Sequence, residues 1–389
     1  MVEIDPNPEE DVMKIIYLHP GDVLGGWTVL DKIGEGGFGA VYLVRDSKGN
    51  EYAMKTESIN AVAKVLKAEY YVLTELKRAK AKHFCDILDS GLVGENKYVV
   101  MTLVGQTLTD LRKRDPTQKI QKFTMGCALS VGMKCLEAIE ELHNIGYLHR
   151  DIKPGNFAIG RKNLRQIYLL DFGMCRKYLD NQSSVRNPRR SAGFRGTVRY
   201  ASISSHISRE QCRKDDLESW MYQQLTVGYL PWKSMQDKDE VGRCKQLCRK
   251  DEYIKELFGG CPREYITIIK IIDSTRYYSK PDYGRIKDLL QDALRNNNVS
   301  EYPYDWEKYL EPEPVKSTAG NGSHSFLQLP LPLSSLLRRI TPPVRSIPSC
   351  YTLLILRLDQ YQDLLSSSFR WIGDIVVLHC LSTVAPFEL

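Results

Sequence analysis

The run His149-Arg150-Asp151-Ile152-Lys153-Pro154-Gly155-Asn156 sets a carboxylate, an ammonium and a carboxamide within a few residues of one another. Asp151 can accept the proton of a substrate hydroxyl, and Lys153 can neutralise a phosphoryl group in its transition state. Asn156, five residues beyond the acid, can hold a metal ion. Asp171-Phe172-Gly173 follows twenty residues after Asp151, and Asp171 can bind Mg²⁺ bridging phosphates. The chemistry these residue types and spacings suit is transfer of a phosphoryl group to a hydroxyl.

Upstream, Ile33–Val41 reads IGEGGFGAV, with Gly34, Gly36 and Gly39 in a G-x-G-x-x-G arrangement. Dinucleotide-binding proteins share that spacing, but there the glycines open a helix. Here Ala40–Val44 alternates like a strand, which predicts a β-hairpin whose glycine backbone can approach phosphates. A plain tight hairpin remains the alternative. Lys55, on the next predicted strand, can hold the phosphates of ATP, although a strand lysine is more often solvated. An acid must fix such a lysine; Glu69 on the following helix is the natural partner and Glu75 the fallback.

These residues need elements to hold them. Trp27–Val44 predicts two strands around the glycine-rich turn, and Glu51–Lys55 and Lys97–Leu103 two more. Ala61–Ala79 predicts a helix with Val65, Ala68, Val72, Leu73 and Leu76 on one side. Leu129, Met133, Leu136, Ile139 and Leu142 mark a second helix, stopped by Gly146. Short strands follow at Phe157–Ile159 and Ile167–Leu170. Further helices are expected near 215–228, 238–258, 262–273 and 283–296. A strand-rich part before a helix-rich part predicts an α+β protein with two lobes.

The chain has 389 residues and a formal charge of +6. Its first 26 residues hold one lysine against six acids, so the positive excess lies in the middle. A basic middle suits acidic substrates or partners, or is a solvated surface. Ten cysteines are scattered, and Cys244 and Cys248 lack the further ligands of a zinc set. No uncharged apolar run reaches the ~20 residues that span a bilayer. The N-terminus is acidic and proline-bearing, unlike a signal peptide. We therefore expect a soluble intracellular protein, cytoplasmic with the nucleus open, with no membrane or nucleic-acid partner.

From about Leu18 to Lys308 the chain resembles the casein kinase 1 group of protein kinases, and within it the tau-tubulin kinase-like branch. The strings that carry the resemblance are HPGDVLGGW, KIGEGGFGAVY, GYLHRDIKPGNFAIGR, LLDFGMCRKY, AGFRGTVRYAS, LPWKSMQDKDEVG and KPDY. Most protein kinases carry Ala-Pro-Glu after the activation segment; here Ala201-Ser202-Ile203 stands instead, as in that group. The resemblance implies the bilobal protein kinase fold, with a small strand-rich N-lobe holding one helix and a larger helical C-lobe. It implies ATP and Mg²⁺ as cofactors, with the metal on Asn156 and Asp171. ATP would be lined by Ile33, Gly34, Glu35, Gly36, Gly37, Phe38, Gly39, Ala40, Val41, Ala53, Lys55, Met101, Leu103 and Ala158. Met101 would be the gatekeeper and Thr102–Val104 the hinge. The catalytic set would be Lys55, Glu69, Asp151, Lys153, Asn156 and Asp171. Lys153 and Thr197 mark a Ser/Thr enzyme, and Asp216 matches a buried aspartate that braces the catalytic loop. Arg199 matches an anion-binding residue, and Arg243 is its less secure partner in a substrate phosphate pocket.

Gly155, Trp220 and Met221 depart from the usual pattern of the branch and leave substrate choice open. The expected organisation is a polar leader over 1–26, a kinase domain over 27–310 and a tail over 311–389, partly disordered and without recognised resemblance. The N-lobe would run from about 27 to 104 and the C-lobe from about 105 to 310. Expected partners are Ser/Thr protein substrates, with acidic or pre-phosphorylated acceptors favoured through two arginine-rich clusters. The branch suggests cytoskeletal ones, and the enzyme is expected to be monomeric. The rival is a pseudokinase or scaffold, which would ordinarily have lost Lys55, Asp151 or Asp171; all three are present.

Overall fold

The computed structural model describes residues 17–36, 39–61, 64–113, 122–225 and 230–313. By packing, the chain divides into Met1–Ser317 and Thr318–Leu389; the second unit, with most of the expected tail, lies outside the described residues.

An antiparallel sheet opens the fold, in the order β1-β2-β3-β4-β6-β5. Its strands are β1 Val23–Leu24, β2 Trp27–Gly36, β3 Gly39–Arg45, β4 Glu51–Ser58, β5 Ile87–Val93 and β6 Asn96–Met101. Strict alternation along β3 sends Ala40, Tyr42 and Val44 into a small core with Leu24, Val29, Met54, Tyr98 and Val100. The other face carries Val41, Leu43, Ala53 and Lys55, registered against Val99 and Met101 of β6. The leader read through Gly26 thus already contributes a strand, and Leu18 packs on the same core. β5 was not legible in the sequence because Asp89, Ser90 and Gly91 break its apolar pattern. Asp89 is tied instead to Trp27 Nε1 at 2.7 Å.

Helix α1, Val65–Arg78, packs on the Lys55 face of the sheet. It starts four residues later than expected, where buried Glu57 of β4 accepts the amides of Val65 and Leu66 at 2.7 and 2.8 Å. Ala68 is exposed; Leu66 and Glu69 take its expected place on the inner face.

The larger lobe begins with α2, Leu108–Lys113, and α3, Met125–Asn144. It continues through β7 Tyr147–Leu148, β8 Phe157–Ile159, β9 Ile167–Leu169 and β10 Arg176–Lys177. The remaining helices are α4 Ile203–His206, α5 Arg213–Gln224, α6 Lys238–Leu247, α7 Asp251–Leu257, α8 Glu264–Ser274 and α9 Tyr283–Asn296. The continuous helix expected over 238–258 is two, because the chain turns where Arg249 reaches into the interior toward Glu218. Helices α3 and α5 form the centre of one large apolar core, which also takes in Val72, Leu73 and Leu76 of α1. Trp220, read as a departure, is fully buried there and donates to Gly132 O at 3.0 Å. α5 reads as a polar helix yet is buried along most of its length, where its acids accept backbone amides: Asp215 that of Cys212, Glu218 that of Ile203, and Asp216 those of the site loop.

Candidate active site

The site lies between the open face of the sheet and the β7–β9 region. Two of the expected nucleotide-contacting residues, Gly37 and Phe38, lie outside the described residues. The hairpin around them is formed: Gly34 pairs with Val41, Glu35 with Ala40 and Gly36 with Gly39. A Cβ on Gly39 would stand 1.9 Å from Thr56 O, so only glycine permits the hairpin to lie this close to β4. Ile33 is exposed on β2, and Glu35 binds Lys32 at 2.8 Å and Tyr17 at 2.8 Å. Ala40 points its side chain into the sheet core, away from the cleft, because strand alternation gives the cleft face to Val41. It can therefore meet a nucleotide only through its backbone.

Ala53 pairs with Met101, and Ala158 of β8 is fully buried below. Beyond Met101, Thr102 N donates to Asp86 O at 3.0 Å and Gly105 N to Ile159 O at 2.7 Å. The connector is thus pinned at both ends. Between them the main-chain groups of Leu103 and Val104 have no hydrogen-bond partner among the described residues.

Lys55 Nζ meets Glu69 Oε2 at 2.5 Å and Asp171 Oδ1 at 3.5 Å. Burial alone would lower the Lys55 ammonium, but the two carboxylates outweigh it and hold it above its ordinary value. Burial likewise opposes the charge of Asp171, and the Lys55 ammonium overcomes it, holding the carboxyl below its ordinary range. Glu75, the fallback partner, stands 4.0 Å from Lys177 instead. Phe172 is buried against His149 and Phe84, so Asp171 turns toward the cleft, its side chain half exposed.

The loop from His149 to Asn156 is held from α5. Asp216, buried, accepts the amides of His149 at 2.7 Å and Arg150 at 2.8 Å, and bonds His143 Nε2 at 2.9 Å. Burial would raise this carboxyl; the hydrogen bond and charge of His143 keep it below its ordinary range. Arg150 sits at φ +67°, a left-handed turn that those two bonds stabilise. His149 Nε2 donates to Leu170 O at 3.0 Å, which leaves Nδ1 to accept the Asp151 amide at 3.3 Å. Asp151 is thereby aimed at Lys153 Nζ, 2.7 Å away, and accepts from Thr197 Oγ1 at 2.8 Å. Asn156 spends its amide N–H groups on Asp151, which leaves its oxygen as an acceptor. That oxygen and the Asp171 carboxylate are hard donors suited to Mg²⁺.

The arginine clusters divide. Arg199 donates to Lys233 O at 3.0 Å, and its charge helps burial hold Arg112 below its ordinary value. Arg243 is exposed on α6, and no contact joins it to Arg199 among the described residues. Lys245 is buried and Arg249 largely so. Arg249 pairs with Glu218 at 3.2 Å and Asp273 at 2.8 Å. Arg189 pairs with Glu210. Sequence reading missed Glu57 and Glu210 altogether; neither stands in a motif, and only folding gives them partners.

The protein kinase domain family matches residues 27–253. A probable serine/threonine-protein kinase of Dictyostelium discoideum is 37% identical over 293 residues, covering 73% of this chain and 57% of that protein. The serine/threonine-protein kinase spe-6 of Caenorhabditis elegans is 36% identical over 290 residues, 72% of this chain and 75% of its own. A putative casein kinase I of the same nematode is 32% identical over 305 residues, 76% of this chain and 87% of its own. The chain belongs to the protein kinase domain family. Within that family it is a protein serine/threonine kinase by its relatives.

Proposed function

We propose that the chain transfers the γ-phosphate of ATP to Ser or Thr hydroxyls of proteins. One observation carries this reading: the Lys55–Glu69 ion pair is closed while Asp171 faces the same ammonium. Lys55 holds the phosphates, and the main chain of Leu103 and Val104 takes the adenine edge. Asn156 and Asp171 would hold Mg²⁺, which when bound supplies charge neutralisation at the phosphates. Asp151 accepts the proton of the acceptor hydroxyl as its oxygen attacks phosphorus, and Lys153 steadies the charge of the phosphoryl group in transit. Thr197, bonded to both, fixes their spacing. A pseudokinase would ordinarily have lost one of these groups, and the sequence keeps them all.

The finer reading places the chain in the casein kinase 1 group, on the tau-tubulin kinase-like branch, as a cytoplasmic monomer acting on proteins such as those of the cytoskeleton. Its kinase domain runs over about 27–310. Acceptors with acidic or phosphorylated residues upstream are favoured, because Arg112 and Arg199 concentrate positive charge beside Tyr200. Radiolabel transfer to a peptide library, with Asp151→Asn as control, tests the activity. Matched peptides with Ala, Asp or phosphoserine upstream test the preference. The charged peptides should win by several-fold kcat/KM, lose that advantage in high salt, and lose it in Arg199→Ala. Equal rates on all three would defeat the preference and leave the activity standing.

A further inference from the structure

Where most protein kinases close the activation segment with Ala-Pro-Glu, this chain has Ala201-Ser202-Ile203. The end of the segment is nevertheless gripped, by a cation. Lys245 of α6 is fully buried. Its Nζ donates to Val198 O at 2.8 Å and Ala201 O at 2.6 Å, and stands 3.0 Å from His206 Nε2. The rings of Tyr222 and Trp232 flank it at 4.9 and 5.3 Å. Trp232 Nε1 in turn donates to Arg199 O at 2.8 Å. The main-chain oxygens of Val198, Arg199 and Ala201 are therefore all held from the C-lobe interior. Between Thr197, which touches Asp151, and Ser202, which caps α4, the backbone has little freedom left.

A buried ammonium is uncommon, and where packing is the only task an apolar side chain serves as well or better. The donors of Lys245 have a definite task here. We propose that Lys245 is a positioning residue for the protein substrate: its ammonium holds the carbonyls of Val198 and Ala201, and so fixes the stretch that presents Arg199 and Tyr200 to the acceptor peptide. The proposal rests on the kinase reading and extends it to a residue outside the cleft. The groups that face Lys245 are His206 from α4, Glu218 and Tyr222 from α5, and Cys244 and Arg249 from α6 and its end. Glu218, the carboxylate of the set, is bonded to Tyr222 and Arg249. Burial pushes the Lys245 ammonium down to about 7, so its charge changes in the neutral range.

The test is steady-state kinetics on the full chain with ATP, Mg²⁺ and an aspartate-rich serine peptide, comparing wild type, Lys245→Met and Lys245→Arg. Methionine keeps the length and the ring contacts and removes every donor. Peptide KM should rise about ten-fold in Lys245→Met, with ATP KM moved less than about two-fold, and Lys245→Arg should recover part of the loss. Complete loss of transfer with ATP binding retained would also support the proposal. Wild-type kinetics in Lys245→Met, or equal shifts in both KM values, would overturn it. If Lys245→Met does not fold, wild type decides: peptide KM should climb between about pH 6 and about pH 8.5 while ATP KM stays level, because an amine grips carbonyls less firmly than an ammonium. A level peptide KM would overturn the proposal. A wild type that transfers no phosphate to any peptide would overturn the kinase reading and this inference together.

Discussion

Asp151, Lys55 and Asp171 divide the labour in a way that single substitutions can separate. Asp151→Asn keeps shape and removes the base, so kcat should fall by about 10²–10⁴ with ATP affinity little changed. Lys55→Met should abolish transfer as well, but it also strands Glu69, buried without its cation. That costs about 1–3 kcal/mol, visible as a lower melting temperature that Asp151→Asn does not share. The pH dependence follows from the two shifts. The Asp171 carboxyl is held low, so its charge, and the stability that charge confers, is present above the ordinary carboxylate range and lost only as acid reaches its lowered value. The Lys55 ammonium is held high, so its contribution persists through neutral pH and fails only as alkali titrates it. At saturating peptide, kcat measured against pH should therefore show a flat top with both of these limbs far from neutrality.

Two elements position these side chains from behind, and each makes its own prediction. Glu57 of β4 caps α1, the helix that carries Glu69. Glu57→Ala should cost about 1–2 kcal/mol and raise ATP KM, since a loosened α1 withdraws Glu69 from Lys55. A variant that melts lower with ATP KM unchanged would show that the cap serves stability alone. The activation segment is held without phosphate: Glu210 binds Arg176 at 3.2 Å and also binds Arg189, while Arg150 Nε donates to Met174 O at 2.7 Å. Phosphatase-treated protein should therefore retain most of its activity, despite the acceptors Ser183, Ser184 and Ser191 in the segment. A treated sample that is dead until another kinase acts on it would refute this.

Across the molecule, packing continues well past residue 253, where the family match ends. Trp306 is fully buried against Phe123 and Tyr304 and donates to Leu164 O at 2.9 Å. Asp305 accepts the amide of Thr124 at 2.7 Å, at the start of α3. Glu313 donates its amide to Arg161 O at 2.9 Å, and Arg161 also pairs with Glu51 of β4 at 3.4 Å. The segment from Tyr302 to Glu313 thus packs against the larger lobe. Trp306→Ala should destabilise by about 3–5 kcal/mol, and a chain cut after Val299 should melt lower still, by about 10 °C or more. A cut chain that melts like the full one would show the segment to be dispensable.

The residues proposed for phosphoryl transfer were legible in the sequence because that chemistry demands particular groups at fixed separations along short, local stretches. His149 to Asn156 and Asp171 to Gly173 each lie within one loop, where spacing in the chain nearly equals spacing in space. Strands with clean alternation and helices with clean periodicity were legible for the same reason. What depends on distant partners was not. Glu69 was the natural partner of Lys55 on paper with Glu75 as fallback, and the packing of α1 against β4 is what brings Glu69 to it. Ala40 and Val41 are neighbours in the glycine-rich run, yet register sends one into the core and one to the cleft. The burial of Lys245 and Arg249 was not legible, because a single lysine or arginine carries no mark of burial until the carbonyls, rings and acids that offset its desolvation have been folded around it.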